Sequence, residues 1–197
     1  MPIARPDVIP FVCEWFSQKS IKEIKSVLDV GSGFGLWGFL ARQYIQIWQP
    51  GIKEDDYINF KNKMRVDAIE IVDFYVTDIQ RQIYNNIYCA DMRINLPSLS
   101  WYDLIICGDI LEHINFTDGL KLLEEMRRRS RWVIITMPDY FARGNEIMGQ
   151  ISDLHEYVWK DNDFPDRPVV THINKQKVII YEDSNYADKR KLFEKSR

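Results

Sequence analysis

The stretch Val27-Leu28-Asp29-Val30-Gly31-Ser32-Gly33-Phe34-Gly35-Leu36-Trp37-Gly38 constrains the fold more than any other part of the chain. A short apolar run enters a cluster of glycines, and a helical pattern begins at once. That order predicts a buried parallel strand, a tight turn and a helix N-terminus. Glycine lacks the Cβ that would hold the backbone away from a ligand. The free N–H groups at a helix start suit polar or anionic groups. The segment therefore reads as a loop for a nucleotide-type ligand, whose identity has to come from the rest of the chain.

Strand and helix patterns alternate around it. Residues 8–19 place Val8, Val12, Trp15 and Phe16 on one helical face, either covering the sheet or bordering the ligand. The first strand is expected at Ser26–Val30 and the helix after the glycines at Phe34–Trp48, closed by Gln49-Pro50-Gly51. The polar segment Ile52–Arg65 reads as an insertion loop with one helical turn at most. Further strands are expected at Val66–Ile71, Ile87–Ala90, Tyr102–Cys107 and Trp132–Thr136. The continuous apolar run of Tyr102–Cys107 suits a strand buried on both faces. Helices are expected at Phe74–Tyr84 and from Thr117 to the arginines at 127–129, with a turn at Leu96–Ser100. After a loop-rich stretch, Tyr140–Pro168, a hairpin of Val169–Ile173 and Val178–Glu182 ends the core. The pattern predicts an α/β fold: an open, mostly parallel sheet ending in a hairpin. A single domain over residues 1–183 is expected, with 1–25 as a helical lead-in. The charged tail 184–197 is expected to be a loosely held helix or frayed.

In such sheets ligands bind beyond the carboxyl ends of the strands. Acidic residues recur there, at Asp29, Glu70, Asp91, Asp109 and Asp139.

Composition narrows the class. The balance of 26 basic against 29 acidic side chains, a net charge of -3, argues against a general nucleic-acid binder. Cys13, Cys89 and Cys107 are odd in number and widely spaced, so free buried thiols are expected rather than disulfides or zinc, and no metal site is expected. No apolar stretch reaches the ~18–20 residues that span a bilayer. The N-terminus lacks the apolar core of a signal peptide. These points predict a cytoplasmic protein.

From about Ser26 to Glu182 the chain resembles the class I S-adenosylmethionine-dependent methyltransferases. Asp29-Val30-Gly31-Ser32-Gly33-Phe34-Gly35 matches that family's acidic-x-Gly-x-Gly-x-Gly first motif. Glu70 matches the acid ending the second strand, and Asp91, in Ala90-Asp91-Met92, matches the residue near the adenine amino group. Asp109-Ile110-Leu111-Glu112-His113-Ile114 is similar to the segment after the fourth strand in many small-molecule and RNA-modifying members, and the terminal hairpin is similar to the family's antiparallel seventh strand.

The resemblance implies a doubly wound, mostly parallel seven-stranded sheet, Rossmann-like, with an antiparallel C-terminal strand, and it implies S-adenosylmethionine as cofactor and S-adenosylhomocysteine as product. It implies that Asp29, Gly31, Ser32, Gly33 and Gly35 hold the amino-acid tail. Glu70, followed by Ile71, would take the ribose hydroxyls, Asp91 and Met92 the adenine, and Asp109 would border the cofactor. Carboxylates suit this cofactor because it carries hydroxyls, an ammonium group and no phosphates. A dinucleotide is the competing ligand, since Gly33-Phe34-Gly35-Leu36-Trp37-Gly38 also fits G-x-G-x-x-G. Its ribose acid should stand ~20 residues on, whereas Glu70 stands 39 positions after Gly31.

His155 is the first candidate for a catalytic base and His113 the second, because histidine titrates near neutrality. His155 lies in Gly144–Trp159, which resembles a Gly-Asn…His…Trp pattern of bacterial small-molecule and sugar methyltransferases. Structural roles compete with catalysis for both, and His172 reads as structural or surface. Arg127, Arg128, Arg129 and Arg131 either bind phosphate or complement the negative end of their helix. Tyr140 and Phe141 either line the acceptor pocket or close it. No Asn-Pro-Pro-Tyr follows the fourth strand, which lowers the case for adenine-N6 or glutamine methylation. The absence of paired cysteines removes a cytosine-C5 nucleophile. The expected acceptor is an oxygen or nitrogen of a small molecule or sugar, with nucleic acid not favoured. The alternatives are a non-catalytic partner subunit of methyltransferase-like fold and an NAD(P)-binding Rossmann protein.

Overall fold

A computed structural model describes residues 6–20, 22–140 and 155–195. The strands are β1 (Ser26–Val30), β2 (Arg65–Glu70), β3 (Asn86–Cys89), β4 (Tyr102–Gly108), β5 (Ser130–Pro138), β6 (Val169–Ile173) and β7 (Gln176–Glu182). They form one seven-stranded sheet in the order β3-β2-β1-β4-β5-β7-β6. β1 pairs in parallel with β2 and β4, β2 with β3, and β4 with β5, whereas β7 runs antiparallel to both β5 and β6. An antiparallel strand in that place departs from the all-parallel 3-2-1-4-5-6 order of dinucleotide folds. Val30 lies opposite both Ile69 and Cys107. The three central strands therefore end level, and the residues after them meet.

Helices cover both faces, as the doubly buried strands require. On one face Leu28, Val30, Ile105, Cys107 and Val133 pack with Leu122, Leu123 and Met126 of the helix Phe116–Arg128. On the other, Val27, Leu104, Ile106 and Trp132 pack with Val12 and Phe16 of α1 (Ile9–Ser17) and with Trp37 and Ala41 of α2 (Leu36–Ala41). Each such aliphatic side chain contributes about 1.5–3 kcal/mol by leaving water.

Several boundaries differ from expectation for local reasons. The helix after the glycines is α-helical only over α2 and continues as a π-helix over Arg42–Ile47. Arg42 is buried there and must satisfy its guanidinium. It donates to Ile83 O (2.6 Å), Met64 O (3.0 Å), Asn85 Oδ1 (2.7 Å) and Gln46 Oε1 (3.1 Å). The insertion folds as two short helices, α3 (Glu54–Ile58) and α4 (Phe60–Lys63). The helix expected over Phe74–Tyr84 divides into a 3-10 turn, Asp73–Tyr75, and α5 (Asp78–Ile83), because Thr77 and Gln80 form a capping box that starts a new helix. An unforeseen turn of helix, α6 (Met92–Asn95), begins after β3 because Asp91 accepts from Arg93 N–H as its N-cap.

The helix Phe116–Arg128, α7, starts at its N-cap Asn115. The C-terminal tail is the helix α8 (Tyr186–Lys195), docked on the far end of the sheet. Arg190 Nη1 reaches Asp103 Oδ1 at 3.2 Å, and the Phe193 ring stands 6.2 Å from that of Trp101. Arg129, fully buried, donates to Leu99 O (2.9 Å) and pairs with Glu125 (2.6 Å), so it closes α7 rather than offering a phosphate site. Cys13 and Cys107 are buried free thiols, but Cys89 is exposed, since β3 is an edge strand. Among the described residues no helix is long and apolar enough to cross a membrane.

Candidate active site at the carboxyl ends of the strands

Beyond β1 the backbone turns over the end of β2. Gly31 N–H donates to Ile69 O at 2.8 Å, and Gly33 N–H donates to Glu70 Oε2 at 2.8 Å. Gly31 has φ +71°, and a Cβ there would lie 2.1 Å from Ile110 Cδ1. Conformation and space both require glycine at this position. Ile110 follows β4, so the loop is packed directly against the segment that carries Asp109.

Glu70 is buried, and its other oxygen accepts Val72 N–H at 2.9 Å. Two backbone donors thus fix the carboxylate at the end of β2, and each oxygen keeps a further lone pair for a ligand hydroxyl. Ser32 is also buried, and its Oγ has no hydrogen-bond partner among the described residues. A buried hydroxyl without a partner in a glycine loop is an acceptor or donor suited to a polar ligand tail. Gly35 caps α2 in the left-handed region.

Asp29 is placed differently from expectation. It is fully buried and does not border the open end of the sheet. Side chains alternate along a strand, so position 29 shares the Val27 face and points under α2. Its Oδ2 accepts Tyr84 Oη–H at 2.6 Å and Gly38 N–H at 3.0 Å. Burial pushes its carboxyl up to about 7, opposed by those two donors and reinforced by the charge of Glu70.

The other expected contacts divide. Ile71 lies past the end of β2 and is half-exposed, while Met92 is buried in the core. Asp91 stands at the end of β3, beside that of β2. Besides capping α6 it is gripped by Arg93, whose Nε lies 3.0 Å and Nη2 2.6 Å from its oxygens. Those bonds hold its carboxyl below the usual carboxylate range. Asp109 takes the left-handed conformation (φ 53°), and its N–H donates to Thr136 O at 2.8 Å. For a non-glycine residue that is a strained geometry of the kind concentrated at functional sites.

Next to Asp109, a 3-10 turn over Leu111–His113 carries Glu112 and His113. Glu112 O accepts N–H from Glu156 (2.7 Å) and Tyr157 (3.2 Å), and Leu111 O accepts Trp159 Nε1–H (3.0 Å). These three bonds lay residues 155–159 across the turn. They bring His155 beside His113, with ring centroids 4.8 Å apart and planes at 85°. The ligating atoms of Glu112, His113 and His155 all lie within 4.8 Å of one another. Glu112 is buried, and burial with the nearby Asp109 pushes its carboxyl well up. Glu112 was not among the candidates from sequence: it adjoins His113 in the chain, but nothing local announces that His155 arrives there. Gly144, Asn145, Gly149 and Phe141 lie outside the described residues.

His172 is a separate feature. Its Nδ1 meets Asp139 at 2.7 Å and its Nε2 meets Asp161 at 2.9 Å, and the buried Lys177 also joins both acids.

No protein-family model matches the chain, and no curated protein matches it. Solved structures share its fold. The N-terminal domain of EvdMO1 with SAH bound has a TM-score of 0.61 at 13% identity, over 91% of this chain and 82% of that one. Magnesium protoporphyrin IX methyltransferase (ChlM) from Synechocystis PCC 6803 with bound SAH has a TM-score of 0.60 at 15% identity, over 90% and 82%. A methyltransferase from Geobacter sulfurreducens has a TM-score of 0.58 at 13% identity, over 93% and 82%. At these identities the likeness establishes the fold, which is that of the class I S-adenosylmethionine-dependent methyltransferases.

Proposed function

We propose that this chain is a cytoplasmic S-adenosylmethionine-dependent methyltransferase acting on an oxygen or nitrogen of a small-molecule or sugar acceptor. The observation that carries this reading is the bond from Gly33 N–H to Glu70 Oε2. It ties the glycine loop of β1 to the acid of β2, where a ligand can be held through its hydroxyls and its polar tail together. The residues suit this cofactor: Glu70 for the ribose hydroxyls, the Ser32 hydroxyl for the amino-acid tail, and Asp91 for the adenine. Asp29 acts beneath the loop as a positioning residue through Gly38. The EvdMO1 domain is known in the presence of SAH and D-fucose, which favours a sugar or similar small acceptor here, as does the net charge of -3. The free cysteines suit a reducing compartment.

The cofactor, when bound, supplies a methyl group on a sulfonium leaving group. The protein's part is to align the acceptor's lone pair with the methyl carbon and to manage the acceptor's proton. That proton is assigned to the Glu112–His113–His155 cluster, with His155 as first candidate base.

Calorimetric titration with S-adenosylhomocysteine and NAD(H), on wild type and Glu70→Ala, tests the reading. S-adenosylhomocysteine should bind, and binding should weaken by ~1–3 kcal/mol in the variant, the range for losing a buried hydrogen-bonding partner. A circular dichroism spectrum matched to wild type guards against global unfolding. Binding of NAD(H) alone would overturn the assignment. Binding of neither would move the chain to the partner-subunit class.

A further inference from the structure

We propose that Glu112, His113 and His155 form a binding site for one divalent first-row transition cation. The argument starts from donor chemistry. Two imidazoles and one carboxylate are a set used for zinc and for iron, with coordination positions left open for water or substrate. The three ligating atoms lie within 4.8 Å of one another, and Glu112 Oε1 stands 3.9 Å from His113 Nε2. Ligand atoms about 2 Å from a common metal lie roughly 3–4 Å apart, so small side-chain rotations close the set. A second observation points the same way. Glu112 is 4% exposed, and the second oxygen of the same carboxylate, Oε2, has no hydrogen-bond partner among the described residues. A buried carboxylate oxygen without a donor is costly unless a cation or proton arrives.

The framework is rigid enough to hold such a set. His113 and His155 come from distant parts of the chain, yet the bonds from Glu156, Tyr157 and Trp159 to Glu112 O and Leu111 O fix the two segments together. Asp109, three residues before Glu112 and facing it electrostatically, adds negative charge beside the cluster.

The site's role rests on the methyltransferase reading; its existence does not. A cation here would take the acceptor oxygen as a ligand and lower its pKa, so that the hydroxyl proton leaves to water. The freed oxygen pair would then form the O–CH3 bond as the S–CH3 bond broke, with that bond's electron pair left on sulfur. An acceptor carrying a second oxygen beside the first would chelate the cation. Vicinal hydroxyls, as on a sugar or a catechol-like ring, are the substrate class this chemistry selects. Ligation would replace the base role of His155, since proton removal would then need no free imidazole.

The test uses tag-free, full-length protein stripped with EDTA and titrated with Co2+, read by visible absorption and by calorimetry. One equivalent should bind with ligand-field bands, and His155→Ala, His113→Gln and Glu112→Gln should each weaken binding more than about tenfold, because loss even of a supporting partner costs that much. His172→Ala, on the separate acid clamp, should bind like wild type. Far-UV circular dichroism and thermal unfolding of the same stripped samples check that each variant is folded, and S-adenosylhomocysteine titration reads the methyltransferase assignment independently. Absence of Co2+ binding, or equal binding by wild type and all three ligand variants, would overturn the site even with S-adenosylhomocysteine bound. Co2+ binding lost in the ligand variants, without S-adenosylhomocysteine binding, would uphold the site and remove its role in methyl transfer.

Discussion

Tyr84 donates its hydroxyl to Asp29 Oδ2 at 2.6 Å, with both residues sealed inside the protein. The same oxygen takes Gly38 N–H at 3.0 Å. A carboxyl beneath the glycine loop thus joins β1, the first turns of α2 and the residue that ends α5. The Tyr84 ring also occupies the space next to Gly38, where a Cβ would lie 2.2 Å from it. The loop above is therefore set from below, by a group that does not itself reach the cleft.

The titration of that group has a definite sign. Asp29 has its carboxyl raised from an ordinary 3.8 to about 7, first by burial. Between those values the folded state holds a proton that the unfolded chain has lost, so stability falls as pH rises through the interval. Three units correspond to a penalty on the order of 4 kcal/mol for ionising the group in place. Asp29→Asn keeps an oxygen to accept from Tyr84 and Gly38 and carries no charge. Urea unfolding between pH 4 and pH 8 should give a flatter profile for Asp29→Asn than for wild type, with the variant more stable at pH 8. Parallel profiles would refute the assignment. Tyr84→Phe should instead destabilise by about 1–3 kcal/mol, since it strips a donor from a buried acceptor.

Gly31→Ala faces two separable costs. The left-handed φ of +71° strains any side chain there, and the new methyl meets Ile110 Cδ1 at 2.1 Å. The steric part should be relieved by Ile110→Ala and the conformational part should not. A double-mutant cycle in thermal unfolding should therefore give a favourable coupling of at least ~1 kcal/mol, with Gly31→Ala still less stable in the Ile110→Ala background than glycine is. Full additivity would mean the loop moves clear of Ile110.

The fold was legible where one strand pattern dictated its surroundings. Ser26–Val30 and Tyr102–Cys107 are apolar on both faces, which forces helices onto both sides of a parallel sheet. The glycines directly after Val30 then place a tight loop at its end. The positions of Glu70 at the end of β2 and Asp109 after β4 were equally legible, because the strand patterns stop there. The direction of Asp29 was also contained in the strand alternation, which puts it on the Val27 face, away from the loop surface. What local pattern does not carry is the meeting of Glu112 with His155. It depends on Glu156 and Tyr157 donating to Glu112 O, tertiary bonds with no periodic signature. The π-helical turn at Arg42 arose in the same way, from a buried guanidinium seeking acceptors on distant segments.

The clamp at His172 gives stability a window in pH. Asp161 and then Asp139 raise the His172 pKa above its ordinary 6.5, and hydrogen bonds from His172 and Lys177 lower that of Asp161. In Asp139 the same two donors outweigh burial and lower its value too. The histidine's contribution is complete below 6.5 and is lost as pH rises through its raised value. The acids' contribution is present above ordinary carboxylate values and is lost as pH falls through their lowered ones. Because these side chains are largely exposed, solvent screening keeps the effect under about 1 kcal/mol. His172→Ala should flatten the alkaline side of the stability profile near neutrality, and 0.5 M salt should shrink the difference. A wild-type profile with no slope there would contradict the clamp.

Trp159 is one of three donors that hold residues 155–159 over the turn, and its contacts make its share testable. The indole is buried, donates to Leu111 O at 3.0 Å, and stacks on Phe164 with ring centroids 5.4 Å apart. One edge fills the space beside Gly119 of α7, where a Cβ would lie 2.5 Å from the ring. Gly119→Ala should therefore overpack the site and cost about 1–3 kcal/mol. Trp159→Phe removes both the N–H and the part of the ring that meets Gly119, leaving Leu111 O without its donor and a small void. Combining them lets the alanine methyl enter that void, so the double variant should be more stable than the sum of the singles predicts, by about 1 kcal/mol or more. The lost hydrogen bond is not restored by a methyl. His155 should stay loosened in the double variant, and Co2+ affinity should remain near that of Trp159→Phe while the melting temperature recovers. Recovery of both together would show that packing alone, without the Leu111 bond, positions the histidine.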